Sequence, residues 1–163
     1  MKRALMLSGL VALAAGMLEA QGLDQGIALY KGGKYAEAEP VLRAASGVEA
    51  KAYLAATLAR LKRYGEAEAQ AKAALAENAV HPVAIAALGE SLVGQQKLDE
   101  AVERLTAALQ AQATLAYAYY WRGQAYQLKK QIARMVDDYQ NFLKLAPQAP
   151  EAPAIKVLLA GLR

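Results

Sequence analysis

The sequence predicts an all-α fold assembled from repeated helical hairpins, and three observations lead there. Alanine supplies about a quarter of the 163 residues, while aromatics make up only 7%. With few β-branched residues, that composition favours helices packed at close range. A small residue followed three positions later by a large one then recurs as Gly26/Leu29, Ala55/Leu58, Gly89/Leu92 and Gly123/Tyr126, at intervals of 29, 34 and 34 residues. Between these pairs lie short basic turns, the first three followed by acids, which suits one helix ending and another beginning. The length fits one domain with a core of its own.

The N-terminus stands apart. Lys2 and Arg3 precede an uncharged apolar run from Leu5 to Leu18, closed by Glu19 and Ala20. A short basic region, an apolar run and a small-residue ending make the plan of a secretory signal peptide, so residues 1–20 are expected to be removed, leaving a chain that starts near Gln21 or Leu23. A membrane-spanning helix fits less well, because fourteen residues at about 1.5 Å each cover roughly 21 Å of a ~30 Å hydrocarbon core. The expected location is therefore exported, periplasmic or secreted, with no stable membrane insertion after cleavage. Loss of Lys2, Arg3 and Glu19 takes the net charge from +4 to +3.

Four hairpins follow, over about 22–48, 49–81, 82–115 and 116–149. Glycine in a helix interior costs up to ~1 kcal/mol relative to alanine, so Gly26, Gly89 and Gly123 are expected where a second backbone comes close, with Ala55 as their equivalent. A second small position tracks the first at Ala38, Ala67, Ala101 and Met135, and four residues beyond stand Leu42, Ala71, Leu105 and Tyr139. The turns read as Lys31-Gly32-Gly33-Lys34, Lys62-Arg63, Gln95-Gln96-Lys97 and Lys129-Lys130. The first unit is five residues short near Ser46-Gly47, and Pro40 is expected to bend or loosen its second helix. Beyond Pro147, Pro150 and Pro153 open a last helix with Ile155, Leu158, Leu159 and Leu162 on one side, read as a cap over 150–163.

This pattern resembles the tetratricopeptide repeat, W-x2-L-G-x2-Y, then A-x3-F, then P, over about 34 residues. The best copies are I-x2-LG-x2-L with LDEA-x3-L in the third unit and Y-x2-RG-x2-Y with Tyr139 and Pro147 in the fourth. Lys51 and Gly22 stand where the family prefers tryptophan, and Met135 replaces its second alanine. The resemblance implies a right-handed α-solenoid of about four hairpins plus a C-terminal capping helix. It also implies a concave groove, lined by the first helix of each hairpin, in which peptides or partner helices bind.

Little in the chain suggests catalysis. Without cysteine there is no disulfide, no thiol nucleophile and no cysteine-based zinc site, and one histidine removes most triad and metal chemistry. His81 reads as a loop or helix-start residue. Asp137-Asp138 reads as a solvated face, and Ser46 and Ser91 have no base nearby in the local sequence. No phosphate-binding loop or dinucleotide fingerprint is present. No cofactor and no metal are expected, and the basic turns serve helix dipoles and solubility rather than nucleic acid.

The expected function is a non-catalytic protein-interaction scaffold of the cell envelope, with self-association into a homo-oligomer as the alternative. Stripes at i, i+3, i+7 and i+10 mark the groove: Leu23, Ile27 and Tyr30; Glu49, Ala52, Ala56 and Ala59; Val83, Ala86, Glu90 and Val93; Tyr117, Tyr120, Gln124 and Gln127. From these the partner-binding residues are expected to be Ile27, Tyr30, Ala52, Ala56, Ala86, Glu90, Tyr117, Tyr120, Gln124 and the adjacent Trp121. The lysines and asparagines of the family's chaperone-binding carboxylate clamp are missing; Leu23, Ile27, Tyr53, Val83 and Ala87 occupy those places. Tyr119, Tyr126 and Tyr139 are expected in the core. Glu49 and Glu90 favour a partner with a basic or amide-bearing face.

Overall fold

A computed structural model describes residues 21–162. The expected signal peptide lies outside the described residues. Among those described there are nine helices and no strand: α1 (21–31), α2 (Tyr35–Ala44), α3 (Gly47–Arg60), α4 (Tyr64–Glu77), α5 (Pro82–Gly94), α6 (Leu98–Ala111), α7 (Ala116–Leu128), α8 (Ile132–Leu145) and α9 (Ala152–Ala160). No helix among them is long and apolar enough to cross a membrane.

Consecutive helices pair as α1/α2, α3/α4, α5/α6 and α7/α8. The first helix of each hairpin also packs on its counterpart in the next, α3 on α5 and α5 on α7, while α4 and α6 lean on α5 and α7. The result is an α-solenoid with the odd-numbered helices on its inner side.

The hairpin turns are the same device four times over. Gly33, Lys62, Gln96 and Lys130 take positive φ of 76°, 61°, 61° and 58°. The residue after each donates its backbone N–H to a carbonyl five positions back: Lys34 to Leu29, Arg63 to Leu58, Lys97 to Leu92 and Gln131 to Tyr126, each at 2.9 Å. This Schellman closure satisfies carbonyls that the helix end leaves orphaned. Acids open the next helix at Glu37, Glu66, Asp99 and Glu100, where the positive end of the helix dipole favours them.

Close approach within each hairpin explains the recurrent small residues. A Cβ placed on Gly26 would stand 2.7 Å from the Leu42 side chain, and one on Gly123 2.8 Å from the Tyr139 ring. On Gly89 it would meet both Leu105, across the hairpin, and Trp121 of the next unit. Ala38, Ala67, Ala101 and Met135 are buried, as are Leu42, Ala71, Leu105 and Tyr139.

Two expectations change, and the first hairpin departs from the rest. Pro40 lies inside α2, which continues to Ala44 and is short, with 10 residues against 14 in α4, α6 and α8. Most of the missing length in the first unit is therefore helix, and Gly47 at φ 90° turns the chain into α3. Asp138 is not on a solvated face. Its side chain is 4% exposed and takes two bonds from Arg122, at 2.8 and 2.7 Å, while the same guanidinium reaches Thr106 at 2.9 Å. Adjacent aspartates point about 100° apart, and here one direction is inward. Tyr126 and Tyr139 lie in the core, but Tyr119 is half-buried, with Arg122 over its ring.

His81 is the N-cap of α5. Its Nδ1 accepts from the Ala84 N–H, which leaves Nε2 to donate to Glu49 at 2.8 Å. In α9, Ala152 and Ile155 are buried and Leu158 and Leu159 half-buried; Leu162, expected on the same side, lies past the end of the helix and is exposed.

Candidate partner-binding groove

The inner helices enclose a cavity of about 630 Å³. Tyr30 and Lys31 of α1, Tyr53, Ala56 and Arg60 of α3, Val83, Ala86 and Glu90 of α5, and Tyr117 and Trp121 of α7 stand around it. On α3 and α7 these residues lie about one turn apart, Ala87 adds a second face of α5, and Gln112, Thr114 and Leu115, leading into α7, close one side.

Of the ten residues expected there, Tyr30, Ala56, Ala86, Glu90, Tyr117 and Trp121 line the cavity. The other four, Ile27, Ala52, Tyr120 and Gln124, lie elsewhere. On α3 the stripe runs through Tyr53, Ala56 and Arg60, and on α7 through Tyr117 and Trp121, whereas α5 lines the cavity with both Ala86 and Ala87. Ala52 and Ala59, on the i+3 side, turn by about 100° toward neighbouring helices. Ala52 is 0% exposed, clustered with Ala74 and Ala84. Tyr120 occupies the equivalent place on α7. Its ring packs 4.8 Å from Trp121, 5.2 Å from Phe142 and 6.3 Å from Tyr139, and its hydroxyl accepts from Gln124 at 2.9 Å. Ile27 packs against the core of the first two hairpins, with Leu42, Leu54 and Leu58.

Lys31 and Tyr53 line the cavity outside the expected stripes, and so does Arg60. It ends α3 with a side chain 33% exposed, 3.6 Å from Glu90, whose side chain is only 14% exposed. Continuing from Ala56 by four positions would have found it. Burial pushes the Glu90 carboxyl above its usual range; Arg60 opposes this, and the charge of Glu151 adds to it. Burial likewise raises the Tyr30 hydroxyl, against the pull of Arg60.

At the C-terminal end, the Tyr117 hydroxyl donates to Glu151 at 3.0 Å, across to the start of α9. Burial first, then that carboxylate, pushes Tyr117 up to about 12. The hydroxyl therefore keeps its proton at neutral pH and stays a hydrogen-bonding group set among apolar surface. Tyr30 meets Tyr53 edge-on at 5.4 Å, and Tyr117 meets Phe142 at 5.6 Å, which leaves the aromatic walls few alternative rotamers.

No protein-family model and no curated protein matches the chain. Among solved structures, TTC0263, a thermophilic TPR protein from Thermus thermophilus, aligns at a TM-score of 0.76 and 23% identity, covering 88% of this chain and 80% of the other. The fold is a tetratricopeptide-repeat solenoid. PilF of Pseudomonas aeruginosa aligns at 0.72 with 20% identity, over 88% of this chain and 67% of the other. MamA from Desulfovibrio magneticus RS-1 aligns at 0.63 with 21% identity, over 86% and 84%. At these identities the tetratricopeptide likeness is one of fold.

Proposed function

We propose that the protein is a non-catalytic interaction scaffold of the cell envelope, which holds a peptide, helix or protein surface in its concave groove. One observation carries this: one cavity is walled by side chains from all four inner helices, and those helices are fixed by packing on one another. A partner lying there meets a preformed surface and is not charged with ordering it. The solenoid fold supports the reading, since neighbouring units sum into an extended concave face. The envelope assignment rests on the basic-then-apolar pattern of residues 2–18.

Capture from envelope extract tests it, with wild type beside Ala86→Phe, which fills the groove. The expected result is a partner retained by wild type and lost with Ala86→Phe while the melting temperature holds; equal capture by both would sink the groove reading. The second reading, self-association, is favoured by the C-terminal end, where Val157 of α9 is 74% exposed and Leu162, just past the helix, 48%. Light scattering separates the two, because a monomer at every concentration removes self-association.

A further inference from the structure

Resting on the self-association reading, we propose that α9 pairs with α9 of a second copy, the two helices antiparallel about a two-fold axis. Register is the reason. Thirty-four residues before Ala152, Ile155 and Leu159 stand Ala118, Trp121 and Ala125, the residues that α7 turns toward the third hairpin. α9 turns the same three places toward the fourth: Ala152 and Ile155 are buried, and Leu159 packs against the cluster of Tyr139 and Phe142. The bond from Tyr117 to Glu151 spans the same interval. α9 therefore stands as the first helix of a fifth hairpin. In α5 and α7 the side facing the second helix carries Gly89 and Gly123, against Leu105 and Tyr139. In α9 that side carries Val157, with Pro153 and Ala160 a turn away on either hand, and all three are exposed. No second helix covers them among the described residues.

The bare stripe selects its cover. Val157 puts a branched side chain where three of the hairpins have glycine. A helix carrying a large residue at the crossing, as Leu42, Leu105 and Tyr139 do, would meet it large on large. Small residues are needed opposite, and α9 itself supplies them in Ala154, Ala160 and Gly161. Antiparallel alignment sets each Val157 against the small residues of the other copy and opposes the two helix dipoles. The distribution of apolar surface makes the pairing two-fold. The exposed large apolar side chains among the described residues are Leu128, Ile132, Leu145, Val157 and Leu162, all in the fourth hairpin or beyond it. A head-to-tail contact would need a matching patch at the other end of the array, whereas a two-fold contact uses one patch twice. Nine residues span only about 13 Å, so the dimer should exchange with monomer. The groove stays open, because no residue of α9 lines it.

The sequence has no cysteine, so a single introduced one reports on its own surroundings. Val157→Cys and Ala160→Cys are oxidised beside Lys34→Cys, an exposed site on the first hairpin that measures random collision. A disulfide needs Cα atoms within about 7 Å of each other. Light scattering of the purified protein is expected to show a dimer that dissociates on dilution. At least one of the two α9 cysteines should cross-link well above the Lys34→Cys control. Val157→Glu should raise the dissociation constant about tenfold or more with an unchanged melting temperature. The cross-link does not depend on that variant, so the test survives a Val157→Glu that folds poorly. A dimer in which neither α9 cysteine cross-links above the control, or which a well-folded Val157→Glu leaves intact, overturns the α9 pairing and leaves self-association standing through another face. A monomer at every concentration overturns both.

Discussion

At one position of the repeat, thirty-four residues apart, α3 carries Ala52, α5 carries Ala86 and α7 carries Tyr120. The middle of the array is built from alanine. Ala55, Ala56 and Ala59 of α3 and Ala67, Ala71 and Ala74 of α4 are all buried, and α3, α4 and α5 stack closely through them. The C-terminal end is built from rings. Tyr117, Tyr120, Tyr139 and Phe142 sit with centroids 5.2 to 6.3 Å from their neighbours, and α9, only nine residues long, approaches through side chains with few close backbone contacts. The same backbone period thus supports two packings. Small residues serve where another hairpin stacks, and large ones fill the wedge where stacking stops.

The two regions should therefore break in opposite directions. Tyr139→Ala should cost about 3–5 kcal/mol in a denaturant melt, because it empties a buried ring site beside Gly123. In the alanine region the damaging change is enlargement: Ala71→Leu should cost about 1–3 kcal/mol by overpacking. Should Ala71→Leu stabilise the protein, the middle is looser than described and the contrast fails.

Acid sharpens the contrast from the electrostatic side. Glu68 of α4 is desolvated, which raises its pKa, but bonds from Lys72 at 2.5 Å, Lys97 at 2.8 Å and Gln95 at 2.8 Å outweigh this and hold it at about 2. A carboxylate held lower in the folded state than its ordinary value of 4.5 stabilises above that value, and the gain is lost as pH falls toward 2. Both lysines keep solvent contact, so the loss should be about 1–2 kcal/mol, less than the full shift implies. Melting curves between pH 6 and 2.5, for wild type and Glu68→Gln, should converge at the acid end; parallel curves would refute the role of Glu68.

The smallest effect is a gain. Lys62 and Lys130 hold left-handed backbone, which costs an L-residue about 1–2 kcal/mol, whereas the equivalent Gly33 does so freely. Offset by the larger entropy of an unfolded glycine, Lys62→Gly should stabilise by about 0.5–1 kcal/mol, read as a raised melting midpoint. No gain would mean that the lysine side chain compensates for its turn.

Much of this was legible in the sequence because sterics leave a mark on residue size. Gly26, Gly89 and Gly123 recur since a Cβ there would collide, and a period of collisions is a period of hairpins. The groove was harder. Helix faces one residue apart differ by about 100°, and size alone does not say whether Ala52 or Tyr53 faces inward. Both answers give a plausible stripe; only the stacking of α3 on α5 decides. Arg60 and Asp138 escaped for a related reason. Charged residues read as solvent-facing until a partner from another helix is known, and Glu90 and Arg122 are remote in the chain.

The outer surface has its own consequence. Where the first hairpin meets the second, Glu39 pairs with Arg63 at 2.7 Å and Arg43 with Glu66 at 3.5 Å. One repeat later the same four places hold Glu68 with Lys97 at 2.8 Å and Lys72 with Glu100 at 3.2 Å. At the last seam those places carry Val102, Thr106, Gln131 and Arg134, and the joining is done instead by Asp99 with Lys129 and by Arg122 reaching back to Thr106. Exposed pairs of this kind are individually worth at most about 1 kcal/mol, but each seam repeats or refuses a pattern. A duplicated second hairpin would find its own charges matched on both sides. The fourth hairpin, moved directly behind the second, would set Arg134 against Lys72, so the charge pattern lets the array lengthen in its middle while fixing which unit stands last.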